Sequence, residues 1–404
     1  MRTATPPATG RIAPPSSGWP AVLAVTTGIF AIVTTEILPI GLLTPIGRDF
    51  TVSDGTAGLM MAMPGYVAAA AAPAVTVATA GVDRRRMLCA FMFLLASANA
   101  IAAAAPAYWA VLLSRVLVGI VIGGFWSIGA GLAGRLARSA RRATAVVFSA
   151  VPLGSVVGVP LGTLIGDLAG WRAGFLMPGL LSAGVLVALV LLLPPLPAER
   201  AARLGVLRGM LRGTGTRSAL LLTFLIVLAH FGAYTYVTPF LEGVTDVPPA
   251  RITLFLLAYG AAGVAGTFLA GTAAARRPHA AFGAAGALIA VAVLALPFLG
   301  RAEPGALALL VVWGIGYGAV PVCSQACFAR SAPESPEAAS VLFTASFQAT
   351  LSSGALVGGA VLDHTSARTV MLLGGATAAV MAATTVLLGR LTGGEEKSGE
   401  ISPA

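Results

Sequence analysis

The stretch Thr34-Thr35-Glu36-Ile37-Leu38-Pro39 lies late in the first long apolar segment and places one carboxylate among residues suited to lipid. A central charge costs roughly 2.5 to 3.5 kcal/mol to insert into a bilayer, so Glu36 needs a partner or a chemical role. Pro39 has no backbone N–H, which frees the carbonyl of Thr35 and favours a bend one turn from the carboxylate. A charge beside a broken helix predicts a functional site.

The composition is that of a polytopic membrane protein. The 404 residues are 57% hydrophobic and only 10% charged, and the mean hydropathy is +0.91. A soluble domain has about a quarter charged residues. The 49 glycines suit helices that pack closely, since lipid offers no hydrophobic drive for helix association. The three cysteines have neither a disulfide nor a zinc-binding spacing, so we expect no metal.

Twelve apolar windows of about 20 residues, the length that spans a bilayer, can be placed along the chain. We therefore predict an all-α membrane protein in which 19–194 and 218–390 each form six spans. Residues 195–217 are predicted to be a basic cytoplasmic linker, 1–18 a disordered cytoplasmic tail and 391–404 a second cytoplasmic tail. The predicted spans are 19–43, 54–80, 87–105, 108–132, 142–166, 172–194, 218–242, 250–275, 279–299, 304–329, 338–362 and 367–390.

The basic residues are divided unevenly between the two ends of these spans. With the N-terminus inside, 19 of the 25 lysines and arginines fall on the cytoplasmic side and 5 outside, while Arg115 lies within a span. The opposite topology would invert this bias, so the positive-inside rule places both termini in the cytoplasm. The net charge of +10 is explained by these loop arginines, and we expect no nucleic-acid partner.

The two sets of six spans repeat each other at an offset of about 200 residues. The stretch 34–39 aligns with Tyr234-Thr235-Tyr236-Val237-Thr238-Pro239, and Gly154 and Gly158 align with Gly354 and Gly358. Equivalent signatures in spans of the same orientation imply parallel halves related by a pseudo-two-fold axis along the membrane normal. A substrate site is then expected between the halves, near the midplane.

Several short motifs carry a resemblance to a known family. Gly81-Val82-Asp83-Arg84-Arg85-Arg86 looks like a cytoplasmic loop signature, and Arg115-Val116-Leu117-Val118-Gly119 resembles an arginine-glycine motif linked to proton coupling. In span five, Gly154-Ser155-Val156-Val157-Gly158-Val159-Pro160-Leu161-Gly162 looks like the glycine-proline motif of drug/proton antiporters. Together they resemble the Major Facilitator Superfamily, in its twelve-span drug/proton antiporter branch.

Further phrases are similar to bacterial permeases described as arabinose or purine ribonucleoside exporters. These phrases are Thr35-Glu36 before Pro39-Ile40-Gly41-Leu42-Leu43, Gly124-Phe125-Trp126-Ser127, Gly170-Trp171-Arg172 and Gln325. The resemblance covers residues 19–390 and implies a monomer in the bacterial cell membrane. It also implies export of a small organic drug or metabolite by proton antiport through alternating access, without a cofactor.

Other function classes stay open or are disfavoured by the residues. Proton-coupled uptake or uniport of a sugar or nucleoside is the nearest alternative. An intramembrane enzyme is remote because the spans contain no HExxH, GxSxG or His/Asp cluster. Charged rings typical of a channel and a Walker A sequence for ATP are also absent from the sequence.

Glu36 and Arg115 are predicted to lie at similar depths, about seven residues from the outer ends of spans one and four and thus roughly 10 Å below the boundary. They could therefore meet. Glu36 would then be a protonatable carrier whose proton affinity depends on Arg115. The alternative is a fixed ion pair that joins the two spans.

His230 in span seven is a third candidate for proton coupling, because imidazole titrates near neutral pH. A histidine hydrogen-bonded to a neighbouring helix is the alternative. Tyr234 and Tyr236 are candidates for the substrate cavity, although two side chains two residues apart cannot both face it from an ideal helix. Trp126, Gln325 and Gln348 are further cavity candidates, each of them also explained by packing or by hydrogen bonds between helices.

Two glycine stripes and one basic loop complete the predicted machinery. The predicted conformational seam, where close backbone contact lets helices slide, consists of Gly119, Gly123, Gly154, Gly158, Pro160 and Gly162. Asp83, Arg84, Arg85 and Arg86 are predicted to gate the cytoplasmic side by pairing with helix ends. A plain topology signal explains these arginines almost as well.

Overall fold

The computed structural model describes residues 18–79, 81–136, 140–197, 209–333 and 336–399, and within these residues every regular element is a helix. Twelve of the described segments are long and apolar enough to cross a membrane. The predicted all-α architecture is therefore confirmed. The helices are Trp19–Ile37, Pro39–Asp49, Asp54–Ala57, Leu59–Ala78, Arg84–Ala103, Tyr108–Leu136, Ala140–Leu153, the π-helical turn Gly154–Gly158, Val159–Ala169, Trp171–Leu192, Thr214–Tyr234, Val237–Gly243, Pro249–Arg276, Pro278–Leu299, Glu303–Ser331, Pro336–His364 and Ala367–Gly399.

The spans differ from the predicted windows mainly at their ends. Span one continues past the predicted boundary to Asp49, span seven begins at Thr214, and the last helix continues to Gly399. Helix formation at these ends extends beyond the apolar windows because polar residues can continue a helix outside lipid. The predictions for 1–17, 198–208 and 400–404, which cover nearly all of the first tail, about half of the linker and the end of the second tail, fall outside the described residues.

Spans one and seven are both interrupted at the stretch that the repeat aligns. The first helix ends at Ile37 and resumes at Pro39, as expected where a proline removes a donor. Span seven ends its first helix at Tyr234 and resumes at Val237, shortly before Pro239. The repeat therefore reproduces a backbone device as well as a sequence pattern.

The glycine pairs of spans five and eleven also occupy equivalent places. A Cβ at Gly154 or Gly158 would meet Val33 or Thr34 of span one, and a Cβ at Gly354 or Gly358 would meet the backbone of span seven. Both pairs thus let a helix approach the broken span of its own half, which supports the internal repeat.

The remaining glycines of the predicted seam also pack inside the N-terminal half. Gly119 and Gly123 lie against the backbone of span two, Gly162 lies against Leu38, and Pro160 is buried near the start of Val159–Ala169. Span five packs on its other side against span eight, Pro249–Arg276, in the opposite half. The role of these residues in sliding stays a prediction.

Each half has its own buried apolar cluster, and a third cluster joins the halves at one end. This third cluster combines Leu38, Leu42 and Trp171 of the first half with Tyr236 and Val370 of the second. It lies at the end of the bundle that carries Ser53, Gly55 and Asp363, which we call the paired end. Side chains of the two halves are hydrogen-bonded there, as described below.

Candidate functional site

Glu36 reaches across the boundary between the two halves. Its side chain is 9% exposed, and Oε1 accepts a hydrogen bond of 2.8 Å from Nε2 of Gln348 in span eleven. Gln348 is also buried, and its Oε1 has no hydrogen-bond partner among the described residues. The structure thus brings together two residues that the sequence placed in different roles, the proton site and the cavity.

Arg115 is fully buried and binds the backbone beside Glu36. Its Nε donates to the Met60 carbonyl at 3.0 Å, and its two terminal nitrogens donate to the carbonyls of Thr35 at 2.9 Å and Glu36 at 3.0 Å. These last two carbonyls belong to the final turn of the helix Trp19–Ile37, where a cation is favoured by the helix dipole. Arg115 therefore caps the broken helix.

This arrangement corrects one expectation and agrees with another. The fixed ion pair is wrong for this conformation, because the guanidinium is directed to carbonyl oxygens and no Glu36–Arg115 ion pair occurs among the described residues. The expected meeting of the two residues does occur, because a terminal nitrogen of Arg115 donates to the Glu36 carbonyl itself at 3.0 Å. Arg115 does lie seven residues from the start of its helix at Tyr108.

Asn99 in span three is a polar contact of this site that sequence reasoning missed. Its Nδ2 donates to the Thr35 hydroxyl at 3.1 Å and to the Leu95 carbonyl at 2.9 Å, and the side chain is 1% exposed. One amide within an apolar span was the available signal, because such a group needs partners in lipid. Asn99 and Arg115 together fix the turn that carries Glu36.

His230 lies in a cage of aromatic rings inside the C-terminal half. Its ring stacks on Tyr317 at 3.5 Å between centroids and on Tyr234 at 5.1 Å. Nδ1 accepts a hydrogen bond from Trp313 Nε1 at 3.0 Å, and Nε2 lies 3.5 Å from the Tyr259 hydroxyl. An imidazole that accepts at Nδ1 is neutral, so this contact supports the hydrogen-bonded alternative for His230 in this conformation.

Tyr234 and Tyr236 point to different surroundings because the helix breaks between them. Tyr234 joins the aromatic cage, whereas the Tyr236 hydroxyl donates to the Ala355 carbonyl at 2.6 Å. Tyr236 is fully buried against Gly58 of the first half and Gly359 of span eleven. The cavity role predicted for Tyr236 does not fit this conformation, in which the ring packs between the halves.

The other predicted cavity residues lie apart from this site. Trp126 is half-buried and packs against the apolar core of the first half. Gln325 is exposed near the end of span ten, while its neighbour Ser324 is hydrogen-bonded to Thr223 of span seven at 2.6 Å. Of the predicted cavity glutamines, the structure places Gln348 at Glu36.

Comparison with known proteins assigns this architecture to a family. The family model described as Major Facilitator Superfamily matches residues 23–349. The chain belongs to this superfamily. It is 36% identical to the "Transcription regulatory protein OpdE" of Pseudomonas aeruginosa over 93% of this chain and 95% of that protein. It is 30% identical to the "Purine ribonucleoside efflux pump NepI" of Salmonella paratyphi A over 90% and 94% of the two chains.

Solved structures agree on the fold. A bacterial homologue of the human lysosomal transporter Spinster, in an inward-facing and occupied conformation, superposes with a TM-score of 0.72 at 16% identity, over 92% of this chain and 96% of that one. The family match, the relatives and the fold together show that the protein is a multi-pass membrane transporter with two six-span halves and not an enzyme.

The cytoplasmic loop motif at residues 81–86 makes its hydrogen bonds within the N-terminal half. Asp83 caps the helix Arg84–Ala103 by accepting from the backbone N–H groups of Arg85 and Arg86 at 2.9 and 3.3 Å. Arg84 donates to the Thr79 carbonyl at 3.2 Å, and Arg85 donates to the Val190 carbonyl. Both acceptors lie at helix ends, as predicted, and both belong to the N-terminal half.

At the paired end, polar groups join the two halves. Asp363 of span eleven accepts from the Ser53 hydroxyl at 2.7 Å and from the Gly55 N–H at 3.0 Å, at the start of span two. Thr238 donates to the Ile40 carbonyl at 2.9 Å, which links the two broken spans directly. The halves are therefore closed against each other at this end.

An ion pair with a partly buried carboxylate lies beside these contacts. Arg48 approaches Glu242 at 3.5 Å, and the two residues border an open cavity of about 530 Å³ that also meets Asp54. Burial raises the pKa of Glu242, and the nearby Arg48 partly opposes that shift. Next to Arg48 in sequence, Asp49 accepts hydrogen bonds from Arg172 and Trp171, and the Arg172 hydrogen bond lowers the pKa of that exposed carboxyl.

Proposed function

We propose that this transporter exports small organic molecules from the cytoplasm in exchange for protons, with Glu36 as the group that binds the coupling proton. The observation that carries the proposal is the place of this carboxylate, buried at the interrupted helix and hydrogen-bonded to the opposite half. Glu36 loses its hydrogen bond from Gln348 when the halves separate and regains it when they close. Its proton affinity then depends on conformation, as coupling requires.

Arg115 acts in this proposal as the residue that positions Glu36. Two hydrogen bonds to carbonyls of the helix Trp19–Ile37 and one to Met60 hold this helix end in place, and among the described residues of its own half the carboxylate has no ion-pair partner. A carboxylate free of such a partner can take up a proton without first breaking a salt bridge. We therefore place Glu36 in the proton cycle and Arg115 in its support.

The cargo class is inferred from chemistry and relatives together. The NepI relative is named as a purine ribonucleoside efflux pump, and the C-terminal half contains a cage of stacked aromatic rings. Planar heteroaromatic solutes match stacked rings. We propose nucleosides or similar drug-sized molecules as the first solutes to test, with the protein acting as a monomer in the bacterial cell membrane, both termini cytoplasmic.

Reconstitution into proteoliposomes tests the proposal. Purified protein should accumulate one or more labelled solutes from a panel of nucleosides, sugars and cationic drugs when a pH gradient is imposed, and an ionophore that collapses the gradient should abolish accumulation. Equal fluxes with and without a gradient would indicate uniport. Accumulation in the same direction as the proton flux would indicate coupled uptake.

Regulation of transcription is a second candidate, because it stands in the name of the P. aeruginosa relative. We favour transport, since the buried polar site lies between the halves of a transporter fold. The proteoliposome assay separates the two candidates, because it contains no transcription machinery and reports solute flux alone.

A further inference from the structure

Only one of the two polar atoms of the Gln348 amide forms a hydrogen bond among the described residues. Nε2 donates to Glu36 Oε1 at 2.8 Å, while Gln348 Oε1 is buried and has no partner among the described residues. A buried amide oxygen without a donor loses a hydrogen bond that it would make in water, at a cost of about 1–3 kcal/mol. The carboxyl group already bound to the same amide can supply this donor when it is protonated.

We propose that Gln348 recognises the protonated form of Glu36 as a closed acid–amide pair, and that this pair links proton binding to closure of the paired end. In the pair, Gln348 Nε2 donates to one carboxyl oxygen, and the proton on the other oxygen is donated to Gln348 Oε1. The proton comes from water and returns to water when the halves separate. The inference rests on the proposed proton-binding role of Glu36 and adds a positioning residue from the other half.

The ionised carboxylate fits this contact less well. It would offer no proton to Gln348 Oε1, so the amide oxygen would stay unpaired and lie near a second negatively polarised oxygen. Both hydrogen bonds form only with the acid. Protonation of Glu36 therefore stabilises the conformation in which spans one and eleven touch.

The charged and titratable groups around Glu36 are compatible with this pair. Arg115 on span four directs its donors to carbonyls at the end of a helix, which compensate its charge. Tyr317 on span ten is near enough to interact electrostatically with Glu36, and its ring stacks on the neutral His230. On span three the uncharged Asn99 donates to the hydroxyl of Thr35, the residue before Glu36.

The paired end offers a direct readout of closure. Ala104 and Ala302 are exposed and lie in loops of different halves. The three native cysteines are replaced by alanine, and cysteines introduced at these two positions carry spin labels. Double electron–electron resonance then reports the distance between the halves. The full-length protein is measured in lipid nanodiscs at a series of pH values.

Acidification should shift the native distance distribution toward the short-distance population. Gln348→Met, which keeps the size but not the amide, should lower the midpoint of this response by about one pH unit, a tenfold loss of proton affinity. Glu36→Gln mimics the neutral acid and should stay at the short distance at every pH. Thr350→Val is the matched control, because its hydroxyl donates to Ser346 within the same helix, and it should respond like the native protein.

The outcomes separate this inference from the proposed function. If Gln348→Met keeps the native pH response while transport remains proton-driven, the acid–amide pair is wrong and the antiport proposal stands. If Glu36→Gln also responds to pH as the native protein does, Glu36 is not the group that controls closure. Absence of proton-driven transport by the native protein would overturn the proposed function whatever the labels show.

Discussion

The two broken spans use one backbone device for different chemistry. In span one the break carries a carboxylate, and the freed carbonyls are bound by a fully buried arginine. In span seven the equivalent break carries Tyr236, a neutral side chain that donates to a carbonyl of its own half and packs between the halves. The repeat has kept the geometry and replaced the charge.

This difference assigns distinct tasks to the halves. The N-terminal half holds a group that can change its charge. The C-terminal half supplies neutral groups at the boundary, Gln348, which donates to Glu36, and Tyr236, which packs against Gly58. Because Glu36 can change its charge and Gln348 cannot, the contact between the halves depends on whether Glu36 carries a proton. The following variants test that division.

The largest effect is expected from loss of the arginine cap at the first break. Arg115→Met would leave three buried carbonyls without their donor, at about 1–3 kcal/mol each, so the protein should lose at least about 3 kcal/mol of stability. Thermal unfolding in detergent measures this change. Arg368→Met removes an exposed arginine and should unfold like the native protein; equal stability of the two variants would contradict the cap.

The next comparison sets the two breaks against each other in function. Glu36→Gln should abolish solute accumulation driven by a pH gradient, because no other group at the break binds the proton. Tyr236→Phe removes one hydrogen bond worth about 1 kcal/mol and should retain accumulation within about fivefold. Initial rates in proteoliposomes give both values. A reversed order of the two losses would show that the second break carries the coupling.

The contact between the breaks can be tested by adding volume. A Cβ at Gly58 would meet the Tyr236 hydroxyl, so Gly58→Ala should disfavour closure of the paired end by about 1 kcal/mol or more. The label distance between positions 104 and 302 reports the change. Tyr236→Phe should partly restore closure in the double variant. Gly184→Ala is the control, because a Cβ there meets no described residue within 4 Å; failure of the rescue would remove Tyr236 from the contact.

A smaller effect is expected in the aromatic cage. Trp313→Phe deletes the donor to His230 Nδ1 and should cost about 1 kcal/mol of stability. Because that imidazole accepts a hydrogen bond as a neutral group, the pH dependence of transport should be unchanged. Transport measured across pH checks this. A shifted pH profile would instead support the role in proton coupling that was predicted for His230 from the sequence.

The smallest effect is expected at the Arg48–Glu242 ion pair. Burial raises the pKa of Glu242, because it disfavours the ionised carboxylate in the folded protein. At neutral pH this lowers the stability of the folded state, and the loss disappears when the carboxyl is protonated in acid. Glu242→Gln should therefore be neutral or stabilising by less than about 1 kcal/mol at neutral pH, with the difference shrinking in acid. Thermal unfolding at two pH values tests the sign; a large destabilisation by Glu242→Gln would make the pair a true latch.

The sequence predicted the spans, the repeat and the break, because each follows from local chemistry. Apolar windows, the aligned 34–39 and 234–239 stretches and a proline in a span are all visible in one dimension. The freed Thr35 carbonyl was foreseen as well. Its partner was not, since Arg115 was matched with the nearest opposite charge, and the advantage of a guanidinium at a helix end appears only once the break has a direction.

The contact that matters most for coupling could not be derived from the chain. Glu36 and Gln348 are 312 residues apart, and their meeting depends on how the halves dock. The same docking places Tyr236 at Gly58, which no periodicity indicates. The end of span one was misjudged, because the apolar window ends before the helix does, at residues that leave lipid but remain helical through Asp49.

Infrared difference spectroscopy of the purified transporter at acidic and alkaline pH tests the central claim most directly, because it observes the carboxyl proton itself. The native protein should show the carbonyl band of a protonated carboxylic acid that disappears at alkaline pH, is missing from Glu36→Gln and shifts in frequency in Gln348→Met. A native spectrum without that band, or a band of equal intensity in Glu36→Gln, would contradict the assignment of the coupling proton to Glu36.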